Sequence, residues 1–264
     1  MPRFAANLSL LYAELPFLQR FAAAAADGFT AVEYLFPYDH PAGQLSLLLQ
    51  EHGLRQVLFN APPGDWAAGE RGFTCLPDRE PDFRSSVERA LAYSEALGRP
   101  LVHLMSGLLP TGMSREQLNG LVVARLAWAA ERASAAGIIL TVEPINERDM
   151  PGYFLNRQDH ALGLIEAVGS PHLKLQFDAY HCQVVEGDVS SKLRRAFERG
   201  VLGHVQVAGA PLRQEPDEGE LRVEHLMALL DELGYAGFVG CEYRPRAGTS
   251  AGLGWLRSWM PALP

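Results

Sequence analysis

The chain has 264 residues, 48% of them hydrophobic and 20% charged, which is the composition of a globular protein. Its net charge of −8 argues against nucleic-acid binding and against attraction to an anionic membrane. Three scattered cysteines without a CxxC pair argue against a disulfide framework or a zinc site, and we find neither a signal peptide nor an apolar run of about 18 residues, so we expect a cytoplasmic protein without a membrane span.

Strand-like runs alternate with amphipathic segments from the N-terminus onward. We expect strands at RFAANLSL, AVEYLF, LRQVLFNA, PLVHLMS, IILTVEP, LKLQFDAY, HVQVAG and FVGCEYR. Most of the intervening segments stop at a glycine, which is typical of helix ends. Eight alternations without a change in composition predict one α/β domain over residues 1–264, a (β/α)8 TIM barrel. A dinucleotide-binding fold would need GxGxxG after the first strand, and NLSLLYAEL has none.

One long connection interrupts this regular pattern, at about residues 62–81. Loops of that length often cover an active site, so we expect it at the mouth of the barrel. Trp66 in this loop is interpreted as an apolar wall or lid.

Four apolar runs each end in a residue that can bind a divalent cation: Glu143, Asp178, Gln206 and Glu242. The carboxyl ends of parallel barrel strands meet on one side, so the four side chains should converge there. Oxygen ligands suit Mg²⁺ or Mn²⁺, and we predict such a site. The alternatives are ion pairing for the glutamates, helix capping for Asp178 and a backbone-bonded amide for Gln206.

The chain resembles the hydroxypyruvate isomerase family, one of the xylose-isomerase-like TIM barrels. The resemblance rests on RFAANLSLLY, FTAVEYLFPYD, NAPPGDWAAGERG, TVEPIN, LQFDAYH, GHVQVA, EPDEGE and VGCEYRP, and it spans nearly the whole chain. It implies catalytic acid/base roles for Glu143 and Glu242, and the same four metal ligands. It also implies that His181 and Arg213 bind substrate. The chain departs from the family pattern at Phe59 and Gly209.

The resemblance implies interconversion of hydroxypyruvate and tartronate semialdehyde by proton transfer through an enediolate, with 2-oxo-tetronate isomerisation or ketose 3-epimerisation as alternatives. A small anionic hydroxy-oxo acid needs a local cation in this acidic protein, and arginine binds carboxylates in bidentate fashion. Arg71 and Arg213 are the candidates. His103 is interpreted as a structural histidine with its hydrogen bonds satisfied. Endonuclease chemistry and a non-enzymatic barrel are further alternatives, and a homo-oligomer is left open.

Overall fold

Eight parallel strands close into a barrel in chain order in this computed structural model, which describes residues 1–257 and residue 259. The strands are β1 Arg3–Asn7, β2 Ala31–Glu33, β3 Arg55–Asn60, β4 Leu101–His103, β5 Leu140–Val142, β6 Leu173–Asp178, β7 Leu202–Val207 and β8 Phe238–Cys241. Pairing of β8 with β1 closes the ring. The predicted (β/α)8 fold is therefore confirmed, whereas the predicted domain of residues 1–264 extends beyond the described residues.

Helices follow the strands on the outside of the barrel. They are α1 Arg20–Ala26, α2 Ala42–Glu51, α3 Glu80–Ala96, α4 Arg115–Ala136, α5 Gln158–Val168, α6 Ala179–Val185, α7 Val189–Glu198, α8 Val223–Leu233 and α9 Thr249–Gly252. In the described part of the chain, none is long and apolar enough to cross a membrane.

Local sequence signals explain where the longest helix, α4, begins and ends. Ser114 accepts a hydrogen bond from the backbone N–H of Gln117, whose side chain accepts one from the backbone N–H of Ser114. This capping box satisfies two amide groups that the first turn would leave unpaired. At the other end, Gly137 adopts a left-handed conformation. A face that includes Leu118, Val122 and Leu126 is buried, which fixes α4 against the sheet.

The connection between β3 and α3 is longer than the others but well packed. It contains a short 3-10 helix, Pro77–Arg79. The buried Arg125 of α4 donates hydrogen bonds to the carbonyl groups of Phe73, Thr74, Leu76 and Pro77 at 2.7–3.2 Å. Because one guanidinium satisfies four loop carbonyls, this connection is held as a fixed wall.

The barrel interior near the carboxyl ends of the strands is polar, unlike the layers of branched apolar residues common in this fold. Two residues earlier on four of the strands, Ala5, Ala31, Leu58 and Phe238 belong to a small apolar cluster. Strand side chains that are at most 2% exposed include Glu33, Gln176, His204 and Gln206. The main apolar core lies between the strands and the helices. A polar interior is stable only when its groups are paired, so these side chains must form a hydrogen-bonded network or bind a ligand.

Candidate active site

Three of the predicted cation ligands meet at the carboxyl ends of the strands. Glu143 directly follows β5, Asp178 ends β6, and Glu242 directly follows β8. Together with His181, they offer ligand atoms that all lie within 4.8 Å of one another. We call these four residues the acidic cluster. The predicted strands at these ends are too long, because the backbone leaves the β5 and β8 ladders just before Glu143 and Glu242.

Buried oxygen atoms without hydrogen-bond partners show that the acidic cluster fits a cation. Glu143 Oε1, Asp178 Oδ2 and Glu242 Oε2 are all in this state. Glu242 Oε2 does lie 3.0 Å from the Arg213 guanidinium, which provides charge but not hydrogen-bond geometry. Unpaired buried carboxylates are costly, and carboxylate oxygens suit a divalent ion. Glu143, Asp178 and Glu242 could therefore hold a divalent cation, with His181 beside them.

The electrostatics of the acidic cluster favour protonated carboxyls when no cation is bound. Burial raises the pKa of Glu143 well above its ordinary value, and the charges of Glu242 and Asp178 raise it further. Burial also raises the pKa of Glu242 to about 8, although Arg213 opposes the shift. The pKa of Asp178 is raised by burial as well. Each shift has the same meaning: the folded protein holds protons that the unfolded chain would release.

These shifts predict that metal-free protein loses stability as the pH rises. Between about pH 4.5 and 8, Glu242 is protonated in the folded state and ionised in the unfolded state. The unfolded state then binds fewer protons, so the free energy of unfolding falls as the pH rises through this window. Urea unfolding in EDTA at several pH values measures the slope. Glu242→Gln should flatten it, and an equal slope in parent and variant would contradict this assignment.

Asp178 caps α6, which was the alternative to its role as a cation ligand, and it also belongs to the acidic cluster. Its Oδ1 caps α6 by accepting hydrogen bonds from the backbone N–H groups of Tyr180 and His181, at 2.7 and 3.2 Å. Its Oδ2 remains within the acidic cluster. The cap fixes the rotamer of the side chain, so the free oxygen is held at a defined position.

His181 lies in the first turn of α6 and faces the carboxylates. Its Nδ1 is 2.6 Å from Asn146 Nδ2, which can only donate, so Nδ1 is the acceptor. The neutral ring then carries its proton on Nε2, which is 3.8 Å from Glu143 Oε1 and 3.7 Å from Asp178 Oδ2. Burial and the charge of Arg213 lower the pKa of His181 well below its usual value. A neutral Nε2–H donor therefore points into the site.

Gln206, the fourth predicted ligand, lies beside Asp178 in the register of β6 and β7. Its Oε1 accepts a hydrogen bond from Gln176 Nε2 at 2.7 Å, and its Nε2 donates to Glu33 Oε1 at 2.8 Å. The amide therefore forms hydrogen bonds with side chains, and not with backbone groups as the alternative interpretation of Gln206 expected. An amide oxygen has two lone pairs, so one remains for a ligand.

The two predicted arginines are in different situations. Arg213 lines the cavity above the acidic cluster, with Nη1 3.0 Å from Asp149 Oδ2 and Nη2 3.0 Å from Glu242 Oε2. Arg71 does not line the cavity. It stacks 3.8 Å over the Trp66 ring and donates to the carbonyl groups of Trp66 and Glu70. Arg71 therefore stabilises its own loop, and only Arg213 contacts the cluster.

His103 differs from its interpretation as a satisfied structural histidine. Neither ring nitrogen has a hydrogen-bond partner among the described residues, and the side chain is 1% exposed. Nδ1 lies 3.6 Å from Glu143 Oε2. Burial lowers the pKa of His103 to about 3, so the ring is neutral. A neutral imidazole therefore lies beside Glu143, below the cavity and not in its lining.

A cavity of about 420 Å³ opens above the acidic cluster, within the size range of small-molecule sites. Trp66 forms part of its wall, as predicted, and packs against Phe36 with ring centroids 5.2 Å apart. Other lining residues were not predicted, among them Arg148, Asp149, Tyr180 and Arg244. Each follows a predicted ligand by two to six residues, so closeness to the strand ends was the available signal.

The departures from the family pattern have structural reasons. Phe59 is fully buried in the apolar core and does not line the cavity. Gly209 sits in a tight turn, where an added Cβ would lie 2.6 Å from the carbonyl oxygen of Glu215. A larger residue at position 209 would require this turn to open.

Comparison with known proteins identifies relatives along the whole chain. A family model described as "Xylose isomerase-like TIM barrel" matches residues 21–259. A 2-oxo-tetronate isomerase of Cupriavidus necator is 56% identical, over 98% of this chain and 99% of its own length. The hydroxypyruvate isomerase of Escherichia coli is 43% identical, over 97% and 98%. A crystal structure from Brucella melitensis, titled as an AP endonuclease of family 2, is 46% identical with a TM-score of 0.95, covering 99% and 100%.

Proposed function

Since the chain belongs to the xylose isomerase-like TIM barrel family, we propose that it is a divalent-cation-dependent isomerase of small hydroxy-oxo acids. The predicted isomerase class is confirmed by relatives that carry that name. The observation that carries the proposal is the acidic cluster, in which two buried glutamates lie next to an aspartate that caps α6. The cluster lies at the floor of a cavity that is also lined by three arginines.

The reaction moves a proton between adjacent carbons through an enediolate. It needs a base and an acid of the protein within reach of those carbons. Glu143 and Glu242 approach the cavity floor from β5 and β8 and can share these tasks. The neutral Nε2–H of His181 can donate a hydrogen bond to a substrate oxygen. A bound Mg²⁺ or Mn²⁺ ion would supply positive charge that stabilises the enediolate oxygens. Trp66, Leu35 and Met105 give the cavity an apolar wall beside these polar groups.

The charge of the cavity supports an anionic substrate. Arg148, Arg213 and Arg244 all line it, in a protein whose net charge is −8. Arg213 already pairs with Asp149 and Glu242, whereas Arg148 and Arg244 form no ion pair among the described residues. A neutral ketose would leave the guanidinium groups of Arg148 and Arg244 without a charged partner. Endonuclease chemistry is less well supported, because the acidic cluster contains one histidine among the described residues, whereas a multi-metal site would need more.

We favour a four-carbon 2-oxo-tetronate as the first substrate to test, because the relative with that name shares 56% identity, and hydroxypyruvate as the second. The experiment is a coupled assay of the purified protein on both acids and on a neutral ketohexose, with and without Mn²⁺. Turnover of an acid that depends on Mn²⁺ is expected. Turnover confined to the ketohexose would contradict the proposal and favour a 3-epimerase.

Arg213→Ala should lower kcat/KM on the acid about 10- to 150-fold, because a hydrogen bond to a charged group contributes about 1.5–3 kcal/mol. Arg71→Ala is the comparison variant, because Arg71 was the other predicted carboxylate partner and its own side chain does not line the cavity. It should change kcat/KM by less than about threefold. A larger loss in Arg71→Ala than in Arg213→Ala would assign the carboxylate to Arg71.

A further inference from the structure

The side chain of Glu33, at the end of β2, crosses the interior of the barrel and is 1% exposed. Three donors converge on its carboxylate. Asn7 Nδ2 and Gln206 Nε2 donate to Oε1 at 2.9 and 2.8 Å, and His204 Nε2 lies 2.7 Å from Oε2. A carboxylate accepts only, and each of its oxygens here has at least one donor.

Gly240 on β8 makes room for this carboxylate. A Cβ at position 240 would lie 2.4–2.6 Å from the carboxyl atoms of Glu33, closer than van der Waals contact allows. Gly240 also pairs in register with Gln206 of β7. The missing side chain on β8 therefore lets Glu33 reach across to β7.

Glu33 determines which end of the Gln206 amide faces it. Because the carboxylate cannot donate, Gln206 must present Nε2 to it, and its Oε1 then lies on the opposite side. That oxygen accepts from Gln176 Nε2 at 2.7 Å, and Gln176 Oε1 lies 3.0 Å from the Thr141 hydroxyl. A hydroxyl can donate or accept, so the Thr141 end leaves the direction of this chain of hydrogen bonds open. Only the Glu33 end fixes it.

We propose that Glu33 is a positioning residue that keeps the amide oxygen of Gln206 available as a cation ligand. The proposal rests on the cation site of the proposed function. Gln206 lies beside Asp178 in the register of β6 and β7. The amide oxygen of Gln206 can bind a cation. The amide NH2 group cannot, because it is a hydrogen-bond donor only. Reversing the amide would therefore remove a ligand without changing the sequence at position 206.

Glu33→Gln tests this with little change in shape. With His204 still donating to its oxygen, the new amide would turn its nitrogen towards Gln206 and Asn7. The hydrogen bonds from Thr141 to position 33 could then reverse together, and only the hydrogen bond from Asn7 would be lost. We expect Mn²⁺ to bind the metal-free variant about 10- to 100-fold more weakly than the parent, the range typical when a group that orients a ligand is replaced. Isothermal titration calorimetry with Mn²⁺ alone measures this.

Two double variants separate orientation from charge. Glu33→Gln with Gln206→Glu restores the lost negative charge. Because both terminal atoms of the new carboxylate at position 206 are oxygens, Mn²⁺ affinity should recover. Glu33→Gln with Gln176→Glu restores the same charge on the other side of Gln206, which locks the amide in the reversed direction. Its affinity should stay as low as that of the single variant. Recovery in the second double variant would show that charge alone matters and would overturn the proposal.

Asn7→Ala removes another hydrogen bond to the same carboxylate but leaves Gln206 directed, and it should keep Mn²⁺ affinity within about threefold of the parent. Parental affinity in Glu33→Gln, or no recovery when Gln206→Glu is added to it, would overturn the inference while leaving the proposed cation site intact. A parent protein that does not bind Mn²⁺ would contradict the cation site itself, and the inference with it.

Discussion

Glu143→Gln and Glu242→Gln are each expected to lower kcat by about 10²- to 10⁴-fold, the usual contribution of a general acid or base. Both substitutions keep the size of the side chain and remove its ability to exchange a proton. Glu143 and Glu242 are each 5% exposed and lie at the floor of the cavity. A water molecule is therefore a poor substitute for either carboxyl group in proton transfer. Steady-state kinetics on 2-oxo-tetronate and on hydroxypyruvate measure the loss.

Glu147→Gln is the matched control for both variants. It lies on the loop that follows Glu143, is exposed, and pairs with Arg115 outside the cavity. Its kcat should match that of the parent, and thermal unfolding should show all three variants folded. A kcat within tenfold of the parent for either active-site variant would remove that glutamate from the mechanism.

Removal of the divalent cation is expected to lower kcat/KM by roughly 10³-fold, because a Lewis acid contributes several kcal/mol to the transition state and each 1.36 kcal/mol is tenfold in rate. Adding Mn²⁺ back should restore the rate. The same addition should raise the free energy of unfolding by about 2.7 kcal/mol at a concentration 100 times Kd. Activity in excess EDTA and urea unfolding with and without Mn²⁺ measure the two effects.

Asp178→Asn identifies the acidic cluster as the place where the cation binds. Asparagine can still cap α6 through its oxygen, so the helix should persist while one negative charge is lost. Mn²⁺ should then stabilise the variant less than the parent at the same concentration. Equal stabilisation of both proteins would locate the cation elsewhere.

The sequence by itself determined the barrel fold and the three carboxylates of the acidic cluster. Strand and helix periodicities are local properties, so eight alternations could be recognised without knowing any contact. A residue at the carboxyl end of a parallel strand must face the barrel mouth, and this brought Glu143, Asp178 and Glu242 together correctly. Position along a strand was sufficient there, because the fold converts it directly into position in space.

Only the tertiary structure decided which groups these residues contact. Gln206 bonds to Glu33, 173 residues away, and Glu33 gave no signal in the sequence. The sequence offered Arg213 and Arg71 equally as partners for a carboxylate. In the fold, Arg213 lies against Glu242 and Arg71 stacks on Trp66. Partners of polar side chains depend on long-range approach and on the space left by neighbours such as Gly240. Neither local periodicity nor residue type contains that information, so the polar interior of the barrel could be recognised only after the strands had closed.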